Sequence, residues 1–281
     1  MLPILPFVSS CIFAQHNVAV KPSASSYQTL PATRRRITVL GVAIDDLTED
    51  EVIAQLDGLI AEGGPHHVVT VNPEFVIEAQ ANPTFREMLA RADIATADGF
   101  GLLLAARYLG TPLRGRVTGV DLSRRLAGLC AARGYRMFLL GAAPGVAAEA
   151  AAALQALHPG LNIAGTFAGS PQPRHEPFLR QLIAAARPHV LLVAYGHPQQ
   201  DLWVARNQPT LQVPLAIGVG GTFDYLSGRV PRAPAMIRRV GLEWAYRLVR
   251  QPSRWRRILN AVPRFAWRVI TRGRHTAIPP I

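Results

Sequence analysis

What most limits the fold of this chain is a recurring unit, a short apolar run that stops at a small or polar residue and gives way to a helical pattern. The runs are Ile37 to Val42, His67 to Val71, Asp93 to Ala97, Arg136 to Gly141, Leu161 to Phe167, Val190 to Tyr195 and Leu215 to Val219. Runs of this length bounded by turn formers read as buried strands. Strands alternating with helices predict an α/β domain, a Rossmann-like, largely parallel sheet with helices on both faces.

The helix signals between the strands agree. Thr48 and Glu51 fit a capping box that opens a helix to Ala61, ended by Gly63, Gly64 and Pro65. Pro73 suits a first helical turn, as does Pro83 at the head of a helix to Ala92. Gly110 and Gly134 stop helices over Phe100 to Leu109 and Val120 to Arg133. An alanine-rich helix reaches Leu157, and another spans Glu176 to Ala186.

In a parallel sheet the carboxyl ends of the strands share one edge, and ligands bind in the crevice outside it. Thr70, Asn72 and Asp98, each at or just past such an end, are therefore expected to converge. Asp98 carries two readings. Gly99 and Gly101 remove side-chain bulk beside it and would let a substrate approach, or Asp98 caps the helix that begins near Phe100. Further polar or glycine-rich strand ends hold Gly196 and Gln200, and Gly220 to Asp224. The turn from Gly141 to Gly145 offers helix N-terminal N–H groups to a phosphate. It lacks the dinucleotide fingerprint and the P-loop lysine, so tight helix-on-strand packing explains it equally well.

Composition narrows the class. Apolar residues make up 49% of 281, ample for a core, yet no uninterrupted apolar run reaches the roughly 18 residues of a spanning helix. Met1 to Phe13 lacks the basic flank and cleavage site of a secretory signal, and residues 1–36 read as a poorly ordered leader. Cys11 and Cys130 are the two cysteines, and the eight histidines show no ligand spacing, so a disulfide framework or metal site is not indicated. The net charge of +12 lies wholly after Gly228, where thirteen arginines face Glu243 alone. The reading is an α/β body over 37–228 and an arginine-rich helical appendage over 229–281. Within the appendage, Pro234 to Arg250 and Trp255 to Ile270 mix arginine, tryptophan and aliphatic residues at helical spacing. Such helices suit an anionic membrane surface, or they dock on the body with their arginines solvated. Nucleic-acid binding is the alternative for an arginine tail with aromatic residues.

Together these residues resemble the WecG/TagA/CpsF glycosyltransferase family from about Ile37 to Arg257. The resemblance runs through Thr70-Val71-Asn72-Pro73-Glu74, Ala97-Asp98-Gly99-Phe100-Gly101, Arg116-Val117-Thr118-Gly119-Val120-Asp121, Gly218-Val219-Gly220-Gly221-Thr222-Phe223-Asp224 and Gly241-Leu242-Glu243-Trp244. It implies an inverting enzyme that moves a sugar from a nucleoside diphosphate donor to a polyprenyl-diphosphate-linked saccharide in cell-surface or extracellular polysaccharide synthesis. Glucose, N-acetylmannosamine and its uronic acid, carried on uridine diphosphate, are the donors it allows. It places such an enzyme peripherally on the cytoplasmic face of the cell membrane, without a cofactor, and it admits a homo-oligomer. No nucleic-acid partner is expected. The missing Asp-x-Asp pair fits metal-independent transfer, although Asp45 and Asp46 stand together. By the resemblance Asp98 matches the general base and Thr70 a residue that positions substrate, while Asn72, Arg116 and Gln200 match other pocket positions. Arg247, Arg254 and Arg257 match arginines expected to close over the donor diphosphate when the appendage meets the membrane. Gly141, Gly145, Gly196 and Asp224 are further candidates. Gln199 and Asp201 stand where the family commonly has Lys and Glu, which puts the substrate contacts made there in question.

Overall fold

A computed structural model of the chain describes residues 34–239, 241–250 and 255–272. The leader expected over 1–36 lies outside them except for Arg34, Arg35 and Arg36. These three pair with the body: Arg34 and Arg36 lie 3.6 and 2.8 Å from Asp45, and Arg35 lies 3.4 Å from Asp46. The other Asp45 oxygen accepts the Ala95 N–H at 2.8 Å, and Asp46 accepts from Arg114. The adjacent carboxylates thus act as a structural brace.

The apolar run Ile37 to Val42, expected as one strand, is a hairpin. Strands β1 (Arg36–Val39) and β2 (Val42–Asp45) pair antiparallel, and the chain reverses at Leu40 and Gly41, both at positive φ (49° and 80°). Both strands are mostly buried, so no polar residue marks the turn and only Gly41 betrays it.

The main sheet holds six strands: β3 (His66–Val71), β4 (Ile94–Ala97), β5 (Arg136–Gly141), β6 (Asn162–Phe167), β7 (Val190–Ala194) and β8 (Leu215–Gly218). Their order is β4-β3-β8-β7-β5-β6 and every pairing is parallel, as the alternation of strand and helix requires. Helices α1 (Glu49–Glu62), α5 (Gly119–Arg133), α6 (Val146–Leu157) and α9 (Thr222–Leu226) pack on one face, around Val68, Leu139, Leu192 and Ile217. The opposite face takes α2 (Pro73–Ala81) and α3 (Pro83–Arg91) over Val69 and Val71. Beside them α7 (Glu176–Ala186) and α8 (Gln199–Leu211) cover Phe138, Leu191 and Val193. Consecutive strand residues point to opposite faces, which is why Val68 and Val69 enter different cores. The local signals hold as read. Thr48 and Glu51 complete their capping box, and Gly63 and Gly134 close α1 and α5 in the left-handed conformation.

After α9 the helix expected over Pro234 to Arg250 breaks into α10 (Ala235–Arg239) and α11 (Glu243–Arg250). Gly241, at φ 77°, turns the chain between them against the Phe100 ring, where a Cβ would sit 2.3 Å from ring carbons. Helix α12 (Trp255–Arg272) runs as expected, with Ala261, Phe265 and Val269 buried and Trp267 and Ile270 exposed. Phe265 and Val269 join the core under α2 and α4 (Phe100–Tyr108). The docked and the exposed readings of this helix therefore belong to different faces of it. Among the described residues no helix is long and apolar enough to cross a membrane.

Candidate active site

A cavity of about 850 Å³ opens at the carboxyl edge of the sheet. Its polar wall comes from the residues that follow β3, β4, β5, β7 and β8, and its apolar wall from α4, α11 and α12. Thr70, Asn72, Asp98, Gly196, Gln200 and Asp224 all line it, so six residues drawn from four strand ends converge as the parallel topology predicts.

Asp98 directly follows β4, and its backbone N–H donates to the Val71 carbonyl at 2.6 Å, carrying the β3/β4 pairing to the rim. The capping reading fails: α4 starts from Gly99 at φ 106°, and no side chain caps it. The two glycines line the cavity and also serve packing. A Cβ at Gly99 or Gly101 would come within 3.3 or 3.0 Å of the Pro73 ring, so they let α4 close on the start of α2.

The Thr70 hydroxyl donates to the Gly218 carbonyl at 3.2 Å, tying β3 to β8. Asn72 is the cap of α2, its Oδ1 accepting the Glu74 and Phe75 N–H groups at 2.8 and 3.2 Å, which leaves its amide NH2 as the donor for a ligand. Gln200 is buried, and its Oε1 accepts the N–H groups of Gly196 (3.2 Å) and Gly220 (2.8 Å), so one side chain holds the turns after β7 and β8 in register. Gly141 and Gly145 do not line the cavity, although Ala142 and Ala143 between them do. Gly141, at φ 111°, lies where a Cβ would stand 2.7 Å from the Ala194 backbone. The close approach of β5 and β7 shapes that turn, a strand-to-strand contact in place of the expected alternative of helix-on-strand packing.

Arg116 sits behind the lining, its Nη1 3.5 Å from the carboxylate of Glu243, which does line the cavity. Arg254 lies outside the described residues, as do the side chains of Arg247 and Arg257. The two positions that depart from the family pattern also lie off the cavity. Asp201 is fully buried beneath it, 3.9 Å from His67 Nε2, and a Cβ at Gly218 would meet its oxygen. Gln199 faces a separate small pocket with Leu202 and Arg206. Neither side chain lines the main cavity.

Two groups beside the site lie in stretches that the sequence singles out but to which it assigns no individual role. Thr118 caps α5 from the cavity wall, and its neighbour Asp121 takes a two-point ion pair from Arg232. The spacing of Thr118 and Asp121 before an apolar run is a legible capping signal; their partner, more than a hundred residues on, is not. His197 stacks on Phe75 at 4.4 Å between ring centroids and lines the cavity. Among the described residues no group of three or more His, Cys, Asp or Glu side chains gathers as a metal site would.

Comparison with known proteins carries this geometry to a family. Residues 37–277 match the Glycosyl transferase WecG/TagA/CpsF family. A relative from Bacillus spizizenii (strain W23) is 36% identical over 75% of this chain and 81% of its own length. One from Bacillus subtilis (strain 168) is 32% identical over 72% and 78%, and one from Staphylococcus aureus (strain MW2) is 28% identical over 83% and 92%. All three are named N-acetylglucosaminyldiphosphoundecaprenol N-acetyl-beta-D-mannosaminyltransferase. With a match over most of its length and a carboxylate-walled cleft at the carboxyl edge of a parallel sheet, the chain belongs to the WecG/TagA/CpsF family and is a glycosyltransferase.

Proposed function

We propose that this enzyme transfers a sugar, with inversion and without a divalent metal, from a uridine diphosphate donor to a polyprenyl-diphosphate-linked saccharide. The names of its relatives favour N-acetylmannosamine as the sugar and a diphosphoundecaprenol-linked N-acetylglucosamine as the acceptor. The observation that carries the reading is Asp98, set at the wall of a cavity that is polar along the strand ends and apolar along α4, α11 and α12.

In the proposed reaction an acceptor hydroxyl oxygen attacks the anomeric carbon from the side opposite the diphosphate. The carbon–oxygen bond to the nucleoside diphosphate breaks with its electron pair going to the leaving group, and Asp98 takes the hydroxyl proton. Thr70 and Gln200 hold the strand ends that shape the pocket. Guanidinium groups neutralise the diphosphate as it departs, Arg116 from the body and Arg247, Arg254 and Arg257 from the appendage.

The acceptor's lipid sets the place of work. Leu104, Tyr108, Trp244, Val262 and Phe265 give the cavity an apolar side, and Met236, Val249, Trp255 and Trp267 stand exposed on the arginine-rich segment. A surface of this composition fits the anionic cytoplasmic face of the cell membrane, so the enzyme acts there as a peripheral protein and feeds the assembly of a cell-surface or extracellular polysaccharide. The test is to incubate the enzyme with a panel of uridine and guanosine diphosphate sugars and a short-chain polyprenyl-diphosphate N-acetylglucosamine. N-acetylmannosamine transfer is expected, and no transfer from any donor would reject the reading.

A further inference from the structure

Glu243 is the one acidic residue after Gly228, in a segment with thirteen arginines. It is the first residue of α11, and its carboxylate lies between two guanidinium groups, 3.5 Å from Arg116 Nη1 and 3.9 Å from Arg232 Nε. All three side chains are largely covered, at 18% exposure for Arg116, 13% for Arg232 and 24% for Glu243. The two arginines are held differently. Arg232 commits Nη1 and Nη2 to Asp121, each at 2.6 Å, while its Nε is buried and makes no hydrogen bond. The carboxylate is close enough to feel both charges and too far from Arg232 Nε to satisfy its N–H.

Guanidinium N–H groups that converge on one point just behind the cavity wall, where Glu243 is the lining residue, match an anion with oxygens on several sides. A carboxylate offers two oxygens in one plane, and a diphosphate offers more, spread over two centres. We propose that Arg116 and Arg232 form an anion subsite for the donor diphosphate, and that Glu243 occupies it as a displaceable surrogate while the site is empty. Arrival of the diphosphate releases Glu243 and with it the N-terminus of α11. Because α11 also carries Arg247, the same exchange couples donor capture to the setting of the appendage. The subsite rests on the nucleoside diphosphate reading given above but makes a demand of its own: the native carboxylate must weaken binding.

The demand is tested on the full chain by calorimetric titration with uridine diphosphate, inorganic pyrophosphate and uridine. If Glu243 holds the subsite for about 80–90% of the time, as a simple two-state exchange allows, Glu243→Gln binds both diphosphates roughly five- to tenfold tighter. Uridine, which has no phosphate, binds wild type and variant alike. Glu243→Asp, which shortens the reach by one methylene and keeps the charge, shifts affinity the same way by a smaller factor and serves if the Gln variant folds poorly. Pyrophosphate binding that is unchanged or weaker in the variants overturns the surrogate. A gain with pyrophosphate but no binding of uridine diphosphate keeps the subsite and removes the nucleoside diphosphate reading, whereas no binding of either anion removes both.

Discussion

Arg232 grips Asp121 at two points, each terminal nitrogen 2.6 Å from a different carboxylate oxygen. Burial pushes the Asp121 carboxyl up, but hydrogen bonds from Arg232 and Thr118 outweigh it and hold the group down at about 2, against an ordinary 3.8. With the folded value below the unfolded one, the pair's stabilisation is complete above about pH 4 and lost as pH falls from there towards 2. Asp121→Asn should cost about 2 kcal/mol at neutral pH, less than a fully buried pair because Asp121 keeps 32% exposure. Urea midpoints between pH 2 and 7 check this: the variant's curve should be flatter through the acid range.

Asp98→Asn keeps the shape of the side chain and removes the base. Its backbone bond to Val71 is untouched, so folding and donor binding should match wild type while kcat falls by roughly 10²–10⁴-fold. Single-turnover transfer together with donor titration separates the two effects, and near-normal turnover would take Asp98 out of the chemistry.

Gln200→Leu removes the acceptor shared by the Gly196 and Gly220 N–H groups. Two rim donors then lose their partner, at about 1–3 kcal/mol if they stay buried. Both turns line the cavity, so kcat/KM should fall together with the urea midpoint. A loss of activity with an unchanged midpoint would instead mark Gln200 as a direct substrate contact.

Gly241→Ala adds a Cβ where the Phe100 ring already lies and demands a backbone at φ 77° that alanine resists. The segment from α10 to α11 should detach from α4 at a cost of about 1–3 kcal/mol. Hydrogen exchange over residues 235–250 is expected to accelerate while β3 and β8 keep their protection.

Val249 and Trp267 are 79% and 68% exposed on α11 and α12. Replacing both with Ser should leave the fold intact and weaken binding to phosphatidylglycerol vesicles, read by sedimentation, by roughly tenfold to a hundredfold, since each side chain is only partly inserted and loses part of the about 1.5–3 kcal/mol that full burial of an apolar side chain supplies. Equal binding by wild type and the double variant would assign membrane attraction to charge alone.

How much of the fold and site is legible in the amino-acid order follows from the range of the interactions involved. Strand and helix positions rest on local chemistry: Thr48 and Glu51 bond across three residues, Gly134 ends a helix by its own conformation, and apolar runs announce buried strands. With parallel strands implied, the gathering of Thr70, Asn72, Asp98 and Gln200 at one edge follows from topology. The Leu40–Gly41 reversal is hidden because both strands it joins are buried. The meaning of Gly99, Gly101 and Gly241 is hidden for another reason, since each makes room for a ring, Pro73 or Phe100, whose approach depends on how helices pack.

The same limit governs the charges. Thirteen arginines after Gly228 are plain in the amino-acid order, but nothing in that order pairs Arg232 with Asp121, 111 residues earlier, or brings Glu243 to Arg116. Backbone propensity and capping act over a few residues and are written locally. Ion pairing and close packing act through space, and which groups they join depends on how the folded chain brings distant segments together.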